Sequence, residues 1–377
     1  MRYRYLFIVF LVGATATPLL LWRSDWFQRI EERPFVDELL GNAEVTIKDP
    51  NELELVFVGD IMLSRHVGSK MVESQSWTLP FDDLAFELAR ADITFGNLES
   101  PFLDTGARVT EGLVFKAEKE SIVGLVKAGF DVVSTANNHS LDQGITGLSY
   151  TKELLRQNGI LGVGTGTTTI DAWQPAVFEV ANTKVAFLAA SYASVNDGGR
   201  GRNNYVARME DLDFLRQAID QLRSEVDIII VSMHAGAEYT HLPNQIQKDF
   251  AHAAIDYGAD VVVGHHPHWV QGLEFYSPDH FPSPGDGEGS RERSGLILYS
   301  LGNFVFDQEW SQKTKEGLMV RLKIKDKKLD EAKLVPVILE NYCCSRLAND
   351  IEAAKILRDI NATSTIDLSL EVSSREP

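Results

Sequence analysis

The chain has 377 residues, enough at ~150 residues per domain for two domains or one large α/β unit. Hydrophobic residues make up 44% and charged residues 24%, which excludes wholesale disorder. Against 54 Asp+Glu there are 36 Lys+Arg, a net charge of -18 that excludes a general nucleic-acid binder and leaves room for divalent cations.

The N-terminus carries an address. Arg2 and Arg4 precede an apolar run of 17 residues, Leu6 to Trp22, interrupted by Gly13, Thr15, Thr17 and Pro18. That length sits at the lower limit for a membrane span, ~17–25 residues. Two readings stay open. One is an uncleaved signal anchor over 1–23, with Trp22 and Trp26 at the interface. The other is a signal peptide cleaved after Ala14-Thr15-Ala16. The arginine flank leaves the rest of the chain outside the cytoplasm. The expected location is the cell membrane, single-pass, with an extracytoplasmic body, or secreted if the N-terminus is cleaved. Residues 24–52 read as a polar linker, 53–360 as the body and 361–377 as a polar tail.

Within the body, strands and helices alternate. Leu53–Val58 reads as a buried strand ending in Gly59-Asp60, Phe81–Arg90 as a helix, and Ile93–Phe95 as a strand ending in Gly96-Asn97-Leu98-Glu99. A helix over Ser121–Ala128 leads to a strand, Asp131–Ser134, that ends in Ala136-Asn137-Asn138-His139. After a helix over Asp142–Asn158, stopped by Gly159, come two strands, Ala176–Ala181 and Lys184–Ala190, turning at Asn182. A helix over Glu210–Arg223 leads to the strand Asp227–Ser232, which ends in Met233-His234. A helix over Asn244–Tyr257 leads to the strand Asp260–Val263, ending in Gly264-His265-His266-Pro267-His268. Ser277–Arg293 reads as a Pro/Gly/Ser-rich surface loop. Leu296–Ser300 leads to Gly302-Asn303, a hairpin joins Leu318–Ile324 to Leu334–Leu339, and Asp350–Arg358 reads as a helix. Cys343 and Cys344 are adjacent, so two small buried side chains are expected and no disulfide.

This order predicts an α/β protein. Strand after strand ends in a small residue followed by Asp, Glu, Asn or His. In α/β sheets, sites form beyond the carboxyl ends of the strands. Asp60, Glu99, Asn138, His139, His234, His266 and His268 therefore form a candidate metal site. A mixed nitrogen and oxygen ligand set suits Mn, Fe or Zn, as one or two ions, where an all-oxygen set would suggest Mg or Ca. His265 reads as a flanking residue, and His241, His252 and His280 as solvated ones.

The segments Val58-Gly59-Asp60-Ile61-Met62-Leu63, Gly96-Asn97-Leu98-Glu99-Ser100-Pro101, Ala136-Asn137-Asn138-His139-Ser140-Leu141-Asp142, Met233-His234-Ala235-Gly236-Ala237-Glu238-Tyr239, Gly264-His265-His266-Pro267-His268 and Tyr299-Ser300-Leu301-Gly302-Asn303-Phe304 resemble the successive motifs of the CapA family of poly-γ-glutamate capsule synthesis proteins. That family is a branch of the calcineurin-like metallophosphoesterase fold. The resemblance runs from about Leu53 to about Arg358. It implies a four-layer sandwich of mixed sheets flanked by helices and a role in capsule polymer synthesis or export. It also implies metal ligation by Asp60, a bridging carboxylate in Glu99, a metal-binding Asn138 and a leaving-group acid in His139. His234, His266 and His268 would complete the ligands. Two departures stand out. The usual Asp-x-His is here Asp60-Ile61-Met62, and the usual Gly-Asp is Gly96-Asn97. His66 is a candidate substitute for the missing histidine.

Three functions remain open: a metal-dependent phosphoesterase-type hydrolase outside the cytoplasm, a non-catalytic subunit of a capsule polymer machine, and a secreted binding protein on the same fold. Arg65 and Lys116 are candidates to contact an anionic polymer or phosphoester substrate, although solvated surface charges are the commoner role for both. Asn97, Glu238 and Asn303 are candidates to orient ligands. Expected partners are the membrane, through the N-terminus, and capsule synthase subunits, with no nucleic acid.

Overall fold

The computed structural model describes residues 49–192, 204–278 and 294–365. The expected anchor or signal peptide, nearly all of the linker, most of the Ser277–Arg293 loop, His280 and residues 366–377 lie outside them. Among the described residues no helix is long and apolar enough to cross a membrane.

Fourteen strands and nine α-helices follow along the described chain. They are β1 (Glu52–Ile61), α1 (Arg65–Glu73), α2 (Ala85–Ala89), β2 (Ile93–Leu98), α3 (Ile122–Lys127), β3 (Val132–Ser134), α4 (Gly144–Gln157), β4 (Leu161–Val163), α5 (Thr169–Ala172), β5 (Ala176–Val180), β6 (Thr183–Ser191) and α6 (Leu212–Arg223). There follow β7 (Ile228–His234), α7 (Gln245–Tyr257), β8 (Val261–His265), β9 (Leu273–Tyr276), β10 (Gly295–Leu298), β11 (Asn303–Val305), α8 (Gln312–Lys315), β12 (Glu316–Lys325), β13 (Lys328–Glu340), β14 (Cys344–Leu347) and α9 (Asp350–Asn361).

Two sheets result. The first has the order β14-β13-β12-β1-β2-β3-β4, with β11 also pairing with β1; the second has β5-β6-β7-β8-β10-β9. Strands β1, β2, β3 and β4 run parallel, while β12, β13 and β14 add antiparallel pairs. In the second sheet β6, β7, β8 and β10 are parallel and the edges β5 and β9 antiparallel.

Side-chain alternation explains the layering. Leu53, Leu55 and Phe57 of β1 point into a core shared with Val185, Phe187, Ile228 and Ile230 of the second sheet. Val56 and Val58, one residue out of phase, point the other way, onto Val67 and Met71 of α1 and Leu125 of α3. In the second sheet Ile229, Val231 and Met233 face Leu215 and Ile219 of α6 and Phe250 and Ala254 of α7. Strands covered on both faces read as continuous apolar runs, as these do. The product is a helix–sheet–sheet–helix sandwich.

The differences from expectation are local. The helix expected over Phe81–Arg90 is a 3-10 turn at Leu79–Phe81 followed by the short α2. The expected tail begins inside the fold: α9 runs to Asn361, and the Thr365 N–H donates to Leu273 O of β9, 2.9 Å. Cys343 and Cys344 are joined as a disulfide, with Cα atoms 3.7 Å apart. They follow the left-handed residues Asn341 and Tyr342, which turn the chain from β13 into β14.

Candidate metal centre

Both sheets deliver polar residues to one place because their parallel strands end on the same side. Asp60 is near the end of β1 and Glu99 directly follows β2. Asn138 and His139 follow β3, His234 ends β7, and His266 and His268 follow β8. Two backbone approaches set this up. A Cβ on Gly59 would come within 2.0 Å of Gly302 O, and one on Gly264 within 2.0 Å of Tyr299 O. Only glycine permits those contacts. The first lets the Asp60 N–H donate to Gly302 O at 3.0 Å, holding the strand end in register. His266 and His268 both have left-handed backbones, with φ of 96° and 56°. Such conformations store roughly 1–3 kcal/mol each and cluster where a chain must aim side chains.

The seven principal candidates are brought together and are all buried. Ligand atoms of Glu99, His234 and His266 lie within 4.8 Å of one another, as do those of Asp60, Glu99 and His268, and those of Glu238, His266 and His268. His234 Nε2 is 2.7 Å from Asn138 Oδ1. His268 Nδ1 is 2.9 Å from Asn303 Oδ1 and 3.4 Å from Asp60 Oδ2. Asn97 donates from Nδ2 to Asp60 Oδ1, 2.8 Å, and sits 3.2 Å from His234 Nδ1. Asn97 and Asn303 thus hold ligand candidates in orientation.

Electrostatically the cluster is out of balance. Burial, reinforced by the Asp60 charge, pushes the Glu99 carboxyl well above the usual carboxylate range. Burial pushes Asp60 the same way, but His268, His265 and Asn97 outweigh it and hold Asp60 below its ordinary value. Burial and the surrounding imidazoles push His234 well below the usual histidine range. Burial and His268 push His266 down to about 3. Burial also opposes a charge on His268, but Glu99, Asp60 and Glu238 outweigh it and raise His268 to about 9.

Buried polar atoms need partners, and several here have none. Both oxygens of Glu99 and Nδ1 of His266 are buried without a hydrogen bond. A proton on Glu99 would still leave its second oxygen and the His266 nitrogen unpaired. Carboxylate oxygens and neutral imidazole nitrogens converging in this way fit a divalent transition metal, which would satisfy them together.

That protonation pattern makes a prediction. Around pH 7 without metal, His268, raised to about 9, is charged, so ligation of a metal by its ring must expel a proton. Affinity should therefore rise with pH until His268 deprotonates near 9. Calorimetric titration with Mn²⁺ at pH 7 in buffers of different ionisation enthalpy should show net proton release. Uptake without any release would contradict it.

His139 lies beside the cluster. Its Nδ1 is 2.7 Å from Asp142 Oδ2, its Nε2 is 3.9 Å from Glu99 Oε1, and its ring stacks on Phe115 at 3.9 Å. Asp142 and Phe115 were not assigned roles by sequence reasoning. For Asp142 a signal existed in the three-residue spacing from His139, which allows contact within one turn.

Other candidates fall elsewhere. His66 has a 65% exposed side chain and pairs with Asp307, so it does not replace the missing histidine. Arg65 is paired with Asp307, donates to Gly112 O at 2.9 Å, and lies 4.7 Å from the Phe115 ring centre, at the edge of the site. Lys116 is no surface charge: it is buried and donates to Thr105 O and Gly106 O, pinning the 104–114 loop. His265 is buried between Ser232 and Val58 O. His241 lies 3.0 Å from Val270 O and His252 3.2 Å from Glu274, so neither is simply solvated.

Sequence comparison adds kinship to this geometry. The family described as bacterial capsule synthesis protein PGA_cap matches residues 54–308, more than half of the chain. The capsule biosynthesis protein CapA of Bacillus anthracis is 27% identical over 353 residues, covering 91% of this chain and 79% of that protein. The PGA biosynthesis protein CapA of Bacillus subtilis (strain 168) is 27% identical over 338 residues, covering 88% and 84%. Among solved structures, the 5'-nucleotidase precursor from Thermus thermophilus is a distant likeness. Its TM-score is 0.43 at 14% identity, over 82% of this chain and 58% of that one.

Proposed function

The chain belongs to the bacterial capsule synthesis protein family PGA_cap, and we propose that it serves the synthesis or export of a capsule polymer as a metal-dependent phosphoesterase-type hydrolase. The polymer we assign, from the names of its relatives, is poly-γ-glutamate. The observation that carries the hydrolase reading is the buried Glu99 oxygens and His266 Nδ1, none of them hydrogen-bonded, beside the Asp142–His139 pair. Asp60, Glu99, Asn138, His234, His266 and His268 would hold one or two ions of Mn, Fe or Zn. Such ions supply Lewis acidity to a phosphoryl group and acidify water.

This chain's own residues do the rest. Asp142 accepts from the His139 Nδ1–H and fixes the ring, so that Nε2 faces the cluster. From there Nε2 gives a proton to the oxygen that leaves phosphorus. Phe115 covers the face of the ring and keeps water from it. Arg65, at the edge, offers charge to an anionic substrate, although Asp307 already neutralises part of it.

A second reading has its own support. Met62 stands where the wider phosphoesterase pattern has a histidine, which favours a capsule-machine subunit that binds without cleaving. One experiment decides. The full chain is produced with Mn, Fe and Zn available, analysed for all three, and assayed on a generic phosphomonoester and diester. We expect at least one equivalent of metal and hydrolysis. Less than half an equivalent in total removes the metal reading, and full metal without hydrolysis favours the binding subunit. Anchoring by residues 6–22 with the body outside the cytoplasm is part of the proposal, resting on apolar length and the Arg2 and Arg4 flank. Protection of the body from external protease in intact spheroplasts would overturn it.

A further inference from the structure

We infer that Glu238 is a metal ligand, acting with His266 and His268 in a centre that Met62 leaves one ligand short. The inference rests on the metal-site reading above. Met62 itself cannot serve. It is fully buried in the core between the first sheet and its helices, and its sulfur accepts from the Ser64 N–H at 3.1 Å. His66 is turned to Asp307. No imidazole therefore reaches the cluster from the segment after β1.

The loop after β7 supplies a group instead. Gly236, with φ of 132°, turns the chain back over the β8 loop. The left-handed Tyr239, next after Glu238, is anchored: its N–H donates to Pro267 O at 2.9 Å, and Gln308 donates to its hydroxyl at 3.3 Å. Glu238 is held between these fixed points at the mouth of the site. A carboxylate oxygen of Glu238 lies with ligand nitrogens of His266 and His268, all within 4.8 Å of one another. The charge of Glu238 is felt at His268 and at Glu99, two members of the Asp60–Glu99–His268 group. With Glu238 the cluster holds three carboxylates, enough to balance most of the charge of two divalent ions. A carboxylate in place of an imidazole also hardens that position, which favours Mn²⁺ or Fe²⁺ over Zn²⁺ there.

The test uses the full chain in detergent, stripped with chelator, then titrated with Mn²⁺ by calorimetry and loaded with Co²⁺ for visible absorption. Glu238→Gln should weaken one Mn²⁺ uptake step at least tenfold, leave any other step unchanged, and alter the Co²⁺ spectrum. Glu238→Asp should recover part of the affinity. Because Glu238 is exposed, the metal-free melting temperature should not move. Mn²⁺ uptake and a Co²⁺ spectrum both unchanged by Glu238→Gln would overturn the inference and leave the metal centre standing. A wild type that takes up neither ion would overturn both.

Discussion

His139→Ala is expected to lower phosphoester hydrolysis by about 10²–10⁴-fold while the metal content stays at the wild-type level. The expectation follows from what the ring touches. One nitrogen is committed to Asp142 at 2.7 Å, and the other faces the cluster without bonding any ligand candidate closely. Loss of the side chain removes a proton donor, not a metal ligand. The backbone N–H of His139 donates to Asn137 Oδ1 at 3.0 Å and survives the change, so the strand-end loop keeps its tie. A purely structural role predicts something else. The ring is buried against Phe115, and if packing were its whole purpose the variant would lose melting temperature and keep its turnover per folded molecule. Asp142→Asn separates the cases further. It keeps the shape and one oxygen that can accept from the Phe115 N–H and the ring, but removes the negative charge that supports a charged imidazole, so turnover should fall with little change in stability. Hydrolysis, metal content and melting temperature on the same preparations test all of this.

Replacing His266 should abolish metal binding, with affinity falling more than the roughly 10–100-fold that outer-sphere changes cost. His266 belongs to two of the three ligand groups, and its Nδ1 is buried with nothing to bond. His266→Ala alone would be ambiguous, because alanine inherits the strained φ of 96°. His266→Gly resolves this. Glycine adopts that backbone freely, so the metal-free variant should be at least as stable toward urea as His266→Ala, yet equally unable to bind. Elemental analysis should find less than half an equivalent of metal in either variant. Wild-type metal content in His266→Gly would remove His266 from the ligand set.

Much of this protein was legible along the chain, for a physical reason. The parallel strands are covered on both faces, so Leu55–Val58, Ile228–Val231 and Val261–Val263 appear as uninterrupted apolar runs with abrupt polar ends. Those ends are where the backbone leaves the sheet, and Asp60, Glu99, Asn138, His139, His234, His266 and His268 stand at them in the sequence. Helices α4, α6, α7 and α9 were equally readable, each spanning at least three turns of amphipathic pattern. The short elements were not. Helices α5 and α8 have four residues each, too few to display a period, and β11 has three. Their conformations are imposed by neighbours, as when Asn303 pairs in register with Asp60.

What only the tertiary structure decided is which polar residues meet. Sequence spacing offers Arg65, His66 and Lys116 as further candidates, but packing turns the first two toward Asp307 and buries the third against loop carbonyls. The same packing brings Asp142 to His139 and Glu238 to His266 and His268. Glu238 is 28 residues before His266 in the chain, and only the pairing of β7 with β8 closes that gap. Strand periodicity is a local property, set by alternate side chains facing opposite ways. The candidate metal centre is a property of two sheets meeting, because its candidate ligands come from both, and no local pattern records how the sheets are stacked.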